Sequence, residues 1–151
     1  RLVSASLEEL PRLGLGAFDY INCVGVVHHT RDPLATLRAL AAALKPGGIL
    51  GVVEHRLPST AVQDPKAPSG YVHEDYVKSL AEAAGFEFSA SSEINANPAD
   101  TADHPFGVWT LPPVSATSDR EGNTPEDFDA EAYAAVGESD RMTLKFVKPA
   151  E

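Results

Sequence analysis

Short apolar runs alternate with polar turns along the chain, and five of these runs predict β-strands. Residues 2–5 are a short candidate strand. Residues 18–24 (FDYINCV) are rich in β-forming side chains, and residues 49–53 (ILGVV) are apolar throughout, as in a strand covered on both faces. Residues 86–94 and 142–147 alternate between apolar and polar positions. We therefore expect the second and third runs to pair in parallel and the last two to pair antiparallel.

Two segments between these runs have helical periodicity. Leucine and alanine recur at helical spacing over residues 34–44, where Asp32 suits the N-cap and Pro33 the first turn. A second helix is predicted over residues 72–84 and is closed by Gly85. Helices placed between strands favour parallel crossovers. The pattern predicts an α/β fold, a three-layer sandwich in a single domain that spans residues 1–151.

Composition narrows the classes of partner. The chain has 151 residues and a formal charge of −10, which argues against binding to a nucleic-acid backbone. It contains no apolar run long enough to cross a membrane. Much of the negative charge lies in residues 119–140, and we expect a flexible acidic loop over about 115–140. Cys23 is the single cysteine, which excludes an intramolecular disulfide.

Two polar clusters follow two of the predicted strands directly. Glu54, His55 and Arg56 follow the buried run, and His28 and His29 follow the run rich in β-formers. Ligands of open α/β sheets bind beyond the carboxyl ends of the strands. We expect the two clusters to converge on one pocket rim.

The side chains of these clusters suggest separate catalytic roles. Side chains alternate across a strand, so Glu54 and His55 should face opposite sides. We expect His28 and Glu54 nearest the substrate, with His28 as general base and Arg56 orienting an anionic acceptor. The alternative is that Glu54 and Arg56 cap loops or pair with each other. The five histidines have no short metal-ligand spacing, so no metal site is predicted.

The segment FDYINCVGVVHHTRDPLATLRALAAALKPGGILGVVEHR resembles the fourth strand, the following helix and the fifth strand of class I S-adenosylmethionine-dependent methyltransferases. The segments QDPKAPSGYVHEDYVKSLAEAAGF, SEINANPADTADHPFGVWTLPP and GESDRMTLKFVKP resemble a group of predicted bacterial methyltransferases without an assigned substrate. The resemblance implies a Rossmann-like fold that lacks its N-terminal strands and ends in an antiparallel strand pair. It also implies methyl transfer from S-adenosylmethionine to a small molecule.

The same resemblance implies where the cofactor lies. Ser6 and Leu7 would meet the adenine, and Cys23 and Val24 would lie beside the sulfonium. The glycine-rich turn and the ribose carboxylate of such enzymes would precede Arg1. We therefore expect a fragment of a longer enzyme, inactive by itself. We also expect it to be cytoplasmic, or periplasmic if a signal peptide precedes it.

Two other functions stay open at this point. One is a non-catalytic or truncated Rossmann-like binding domain. The other is a nicotinamide-dependent oxidoreductase, although no hydride-transfer constellation such as Tyr-x-x-x-Lys is found in that context. Trp109 could either cover a substrate pocket or plug the edge of the sheet. The sequence leaves the methyl acceptor and the oligomeric state open.

Overall fold

The computed structural model describes residues 5–150 and contains one mixed four-stranded sheet. The strands are β1 Phe18–Val24, β2 Leu44–His55, β3 Glu87–Ser92 and β4 Arg141–Val147, in the order β1-β2-β4-β3. The helices are α1 Pro33–Ala43, α2 Glu74–Ala83 and α3 Ala130–Val136. Three 3₁₀ turns lie at Leu7–Arg12, Val27–His29 and Gly107–Thr110.

The pairing of the strands confirms the predicted topology. β1 is parallel to β2, with Cys23 opposite Val52. β4 runs antiparallel to both β2 and β3, which places Met142 opposite Glu54. The α/β class and the antiparallel C-terminal pair are thus as the sequence predicted. The parallel pair brings the ends of β1 and β2 to the same edge of the sheet.

The hydrophobic core lies between one face of the sheet and helices α1 and α2. Its sheet side is a set of nearly inaccessible side chains on alternate positions of β2 and β4: Leu50, Val52, Met142, Leu144 and Phe146. Its helical side includes Leu37, Leu40 and Ala81. Glu54 continues the row begun by Leu50 and Val52. The strand period therefore directs a carboxylate into the core face, where an unpaired charge would be strongly destabilising.

The opposite face of the sheet is open within residues 5–150. Tyr20 is 56% exposed there, and its hydroxyl lies above Gly51, together with the Asn22 side chain. Ile49 and Val53, expected to be covered on both faces, are half-buried. The α-helices that contribute to the core, α1 and α2, cover one face only, so two layers of the expected sandwich lie within the described residues.

Several element boundaries differ from the sequence expectation. α1 ends at Ala43, and β2 begins at once because Gly47 donates to the Lys148 carbonyl and Gly48 accepts from the Lys148 N–H. Main-chain pairing with the end of the chain therefore makes Lys-Pro-Gly-Gly the start of the strand. The predicted strand at residues 2–5 falls outside the described residues except for Ala5, which has no regular structure.

The acidic region was expected to be a flexible loop over about 115–140, and that expectation is wrong in part. It contains α3, whose N-cap Asp129 accepts hydrogen bonds from the N–H groups of Glu131 and Ala132. A carboxylate at this position satisfies donors that a short helix leaves free and interacts favourably with its dipole. The acids thus stabilise local structure here.

The turn containing Gly107 docks directly on the backbone at Ser69. The Val108 N–H donates to the Ser69 carbonyl at 2.9 Å, and Gly107 has a φ of 60°. A Cβ at Gly107 would lie 2.3 Å from the Ser69 oxygen. Only glycine allows this approach, which holds the turn against the chain after β2.

Within residues 5–150, no helix is long and apolar enough to cross a membrane.

Gly107→Ala should lower the free energy of unfolding by about 2–4 kcal/mol, because it adds a backbone clash to an unfavourable φ. Gly122→Ala is the matched control, since Gly122 also has a positive φ but open space around the missing Cβ. The control should lose about 1 kcal/mol. Urea unfolding of both variants measures the difference, and equal losses would contradict the docking described here.

Candidate active site

The Glu54 side chain joins the ends of the two parallel strands. Glu54 is 2% exposed. Its Oε1 accepts a hydrogen bond from the Val27 N–H at 3.1 Å, and its Oε2 lies 2.5 Å from Nδ1 of His28. The two polar clusters therefore meet at the carboxyl edge of the sheet. The buried carboxylate is satisfied from the turn that follows β1.

The pairing with Glu54 sets the tautomer of His28. A carboxylate is an acceptor, so the Nδ1 of His28 carries the hydrogen and Nε2 keeps its lone pair. The imidazole is 5% exposed, and its Nε2 has no hydrogen-bond partner in the part of the chain that the structure describes. An imidazole held in this way by a carboxylate can accept a proton at Nε2.

A narrow apolar cavity of about 30 Å³ adjoins the pair. His28 and Glu54 line it together with side chains from α1 and α2 such as Leu37 and Val77. Its volume exceeds the minimum that a water molecule requires. The cavity can therefore admit a small polar group beside the imidazole, but no larger molecule in this conformation.

Two further histidines surround His28. The ring centroids of His28 and His29 are 3.8 Å apart, and those of His28 and His55 are 6.1 Å apart. Burial, and then the neighbouring His28, lower the pKa of the more exposed His29. Burial, followed by Arg141 and His28, lowers the pKa of His55 to about 4. Nδ1 of His55 lies 2.6 Å from the Ser139 hydroxyl, so this ring is a neutral hydrogen-bonding group at pH 7.

Arg56 lies elsewhere, in a network of carboxylates. Its Nε and one terminal nitrogen donate to Asp140, each at 2.9 Å, and both terminal nitrogens donate to Glu93. The hydrogen bonds with Asp140 and Glu93 raise the pKa of the guanidinium. The idea that Arg56 orients an anionic acceptor is not supported by this geometry, because its donors are occupied. The alternative pairing of Arg56 with Glu54 is not seen either.

The four residues expected near the cofactor occupy different surroundings. Ser6 is exposed and donates its N–H to the Glu9 carboxylate at 3.1 Å, and Leu7 packs against the core. Cys23 and Val24 face opposite sides of β1, with Cys23 in the core and Val24 exposed. Burial raises the pKa of the Cys23 thiol to about 11, so it is protonated at neutral pH and is a poor nucleophile.

The carboxyl end of β1 leaves its backbone accessible at Gly25. Gly25 has a φ of 60°, and no heavy atom lies within 4 Å of the place where its Cβ would stand. The backbone of this turn is open to close approach by a ligand, and the exposed Val24 adds apolar surface next to it. Val24 and Gly25 therefore leave room for a ligand at the end of the strand.

A second buried carboxylate, Asp100, was missed by the sequence analysis. Its side chain is 0% exposed and accepts from the Tyr71 hydroxyl at 3.0 Å, from Nε2 of His104 at 2.8 Å, and from the N–H groups of Ala102 and Asp140. This cluster ties the long loop to the start of β4. An Asp and a His four residues apart were the available signal, but they lie in a loop without periodicity.

Residues 2–50 match a family model described as a methyltransferase domain. This part of the chain is therefore similar in sequence to methyltransferase domains. The ubiquinone biosynthesis O-methyltransferase of Xanthomonas campestris is 47% identical over 45 residues, which are 30% of this chain and 19% of that protein. The chain thus spans about a fifth of this curated relative.

Solved structures agree with the fold. The 4+2 cyclase SpnF has a TM-score of 0.60 at 20% identity, over 99% of this chain and 56% of that chain. The N-methyltransferase NodS from Bradyrhizobium japonicum, in complex with S-adenosyl-L-homocysteine, has a TM-score of 0.52 at 11% identity, over 97% of this chain and 53% of that chain. The sheet is Rossmann-like and partly antiparallel, as in these solved structures.

Asp100→Asn should destabilise the chain by about 2–3 kcal/mol. The amide would place a donor against groups that already donate, and buried donors would lose their acceptor. Asp103→Asn, three residues away and exposed, should change stability by less than about 0.5 kcal/mol. Chemical unfolding of both variants checks this, and a neutral effect of Asp100→Asn would show that the cluster does not anchor the loop.

The low pKa of His55 predicts a loss of stability in mild acid. An unfolded histidine takes up a proton near pH 6.5, whereas folded His55 does so near pH 4. The free energy of unfolding should therefore fall as the pH drops from 6.5 to 4, by roughly 2 kcal/mol after allowance for partial exposure. This component should disappear in His55→Gln and persist in His73→Gln. Titration of the imidazole signals by NMR measures the pKa of His55 directly. An ordinary histidine pKa would contradict the prediction.

Proposed function

We propose that this chain forms the acceptor-side part of an enzyme that transfers a methyl group to a small molecule, with His28 as general base. The observation that carries the proposal is the His28–Glu54 pair at the carboxyl ends of β1 and β2. This edge is where ligands bind in open α/β sheets. The matches to methyltransferases supply the reaction class.

Bound S-adenosylmethionine would supply an electrophilic methyl group. The acceptor's lone pair would bond to that methyl carbon with the sulfur as leaving group, and the acceptor would lose its proton. Nε2 of His28 takes this proton, and the Glu54 carboxylate stabilises the resulting imidazolium. Holding the acceptor in line provides much of the rate, and the base adds typically 10²–10⁴-fold.

The space around His28 supports a hydroxyl or amino group as the methylated atom. The cavity beside the imidazole has room for a water-sized polar group, and its side-chain walls are apolar apart from His28, Glu54 and Tyr76. The reacting atom of the acceptor would enter this space while the rest of the molecule stays outside. The net charge of −10 argues for a small-molecule acceptor over a nucleic acid.

Glu54→Gln is the sharpest test, in the longer protein that would contain this chain. Its carbonyl oxygen can still accept from the Val27 N–H, but its amide group would donate to Nδ1 of His28. The ring would then carry its hydrogen on Nε2 and could no longer accept a proton there. We expect kcat to fall by about 10²–10⁴-fold with cofactor affinity unchanged.

His28→Ala should show the same loss, and His73→Gln serves as a control because His73 lies outside the pair. Calorimetry with S-adenosylmethionine and a radiolabelled methyl-transfer assay give the two readouts. Full turnover in both Glu54→Gln and His28→Ala would end the proposal. Loss of cofactor binding in both would make the pair a structural support of the cofactor site instead.

A further inference from the structure

A second and much larger cavity opens on the surface near the histidines. This cleft, of about 780 Å³, has a volume typical of small-molecule sites. Its lining includes Pro68, His104, Phe106, Trp109, Asp119 and Arg120. We use the name aromatic cleft for it. It lies outside the narrow cavity beside His28 and shares no lining residue with that cavity.

Trp109 forms the side of the aromatic cleft nearest the candidate active site. The centroid of its indole lies 6.2 Å from the ring centroid of His29. The ring centroids of His29 and His28 are 3.8 Å apart. The benzo edge of the indole packs over Gly70, where an added Cβ would be 3.4 Å from the ring. The ring is half-buried and part of the cleft wall. Trp109 thus lines the aromatic cleft.

The wall of the cleft is held by aromatic packing and by the main chain. Phe106 packs against Phe128 with centroids 5.5 Å apart, and Phe128 packs against Tyr133 at 5.1 Å. The Trp109 carbonyl accepts from the Ala116 N–H at 2.8 Å. A rigid aromatic wall costs little entropy on binding and favours planar ligands.

Arg120 gives the aromatic cleft a positive charge. Within residues 5–150 no carboxylate lies within ion-pair distance of its guanidinium, although Arg120 is the single base among residues 119–140. The adjacent Asp119 accepts hydrogen bonds from the N–H groups of Glu121 and Asn123 and from the Asn123 amide. Its carboxylate therefore closes its own turn and leaves Arg120 available.

We propose that the aromatic cleft binds a planar aromatic carboxylate, with the ring against Trp109 and the carboxylate on Arg120. Guanidinium groups bind carboxylates in a bidentate manner, and an aromatic ring stacks favourably on indole. A cation without an ion-pair partner among the described residues and two aromatic side chains line this cleft, a combination that is complementary to this class of ligand. As an acceptor site, the aromatic cleft rests on the function proposed above, and it would hold the body of the acceptor whose reacting group approaches His28.

The binding test uses benzoate as the probe and the chain's own fluorescence as the signal. Trp109 is the single tryptophan, so selective excitation of tryptophan reports on this cleft alone. Benzoate should quench the emission saturably. Benzamide, which is planar but neutral, and cyclohexanecarboxylate, which is anionic but not planar, should bind at least about tenfold more weakly, a difference of about 1.4 kcal/mol.

Arg120→Gln should weaken benzoate binding about tenfold and leave benzamide binding unchanged. Arg31→Gln is the matched control, since Arg31 is exposed and outside the cleft, and it should bind benzoate like the unaltered chain. Circular dichroism verifies that both variants fold. Equal binding of the three probes, an unaltered affinity in Arg120→Gln, or saturable quenching by a proline-rich peptide but not by benzoate would each overturn the proposal.

This experiment contains no cofactor and measures no turnover, so its result is independent of the methyl-transfer test. Failure of benzoate binding would remove the aromatic cleft as a carboxylate site and leave the His28–Glu54 pair untouched. Normal binding in the cleft combined with full turnover of the Glu54→Gln enzyme would instead remove the proposed base. The two inferences can therefore fail separately.

Discussion

The burial of the Glu54 carboxylate is the constraint on which the site depends. Strand alternation directs this side chain into the core face, beside Val52 and opposite Met142, where an unsatisfied carboxylate would be strongly unfavourable. The turn after β1 must therefore supply donors, and it does so through the Val27 N–H and the His28 ring. The need to satisfy the buried Glu54 carboxylate therefore fixes the position of His28.

The buried Asp100 carboxylate likewise gathers donors, in this case from the long loop before β4. It accepts four hydrogen-bond donors and holds the N–H of Asp140, whose own carboxylate binds Arg56. Two buried acids thereby fix the turn after β1 and the long loop before β4 to the same end of the sheet. Arg56 belongs to this framework, which explains why a residue expected to bind substrate is surrounded by protein carboxylates.

The sequence predicted most of the fold because its signals are local and periodic. The apolar row of β2, the N-cap at Asp32 and the alternation in β4 specify elements and faces without reference to distant residues. The contact between His28 and Glu54 could be anticipated because parallel strands bring their carboxyl ends together. The start of β2 could not be anticipated, because it depends on main-chain pairing with Lys148, which is far away in the sequence.

The residues missed by the sequence analysis share a different property. Asp100 and Tyr71 lie in loops, where no periodicity indicates which side is buried, and they pair with each other across 29 residues of sequence. The occupation of Arg56 by Glu93 and Asp140 has the same origin. The strand order predicts which strand ends lie together. The loops determine which polar side chains at those ends are already hydrogen-bonded within the protein.

The single thiol of the chain offers a native measure of its motions. Cys23 lies in β1 on the core face, 5% exposed and largely protonated at neutral pH. A thiol reagent can reach it only when that part of the sheet separates from the helices. The rate of modification therefore counts the opening events of the core, without an introduced label and without a second cysteine to confuse the signal.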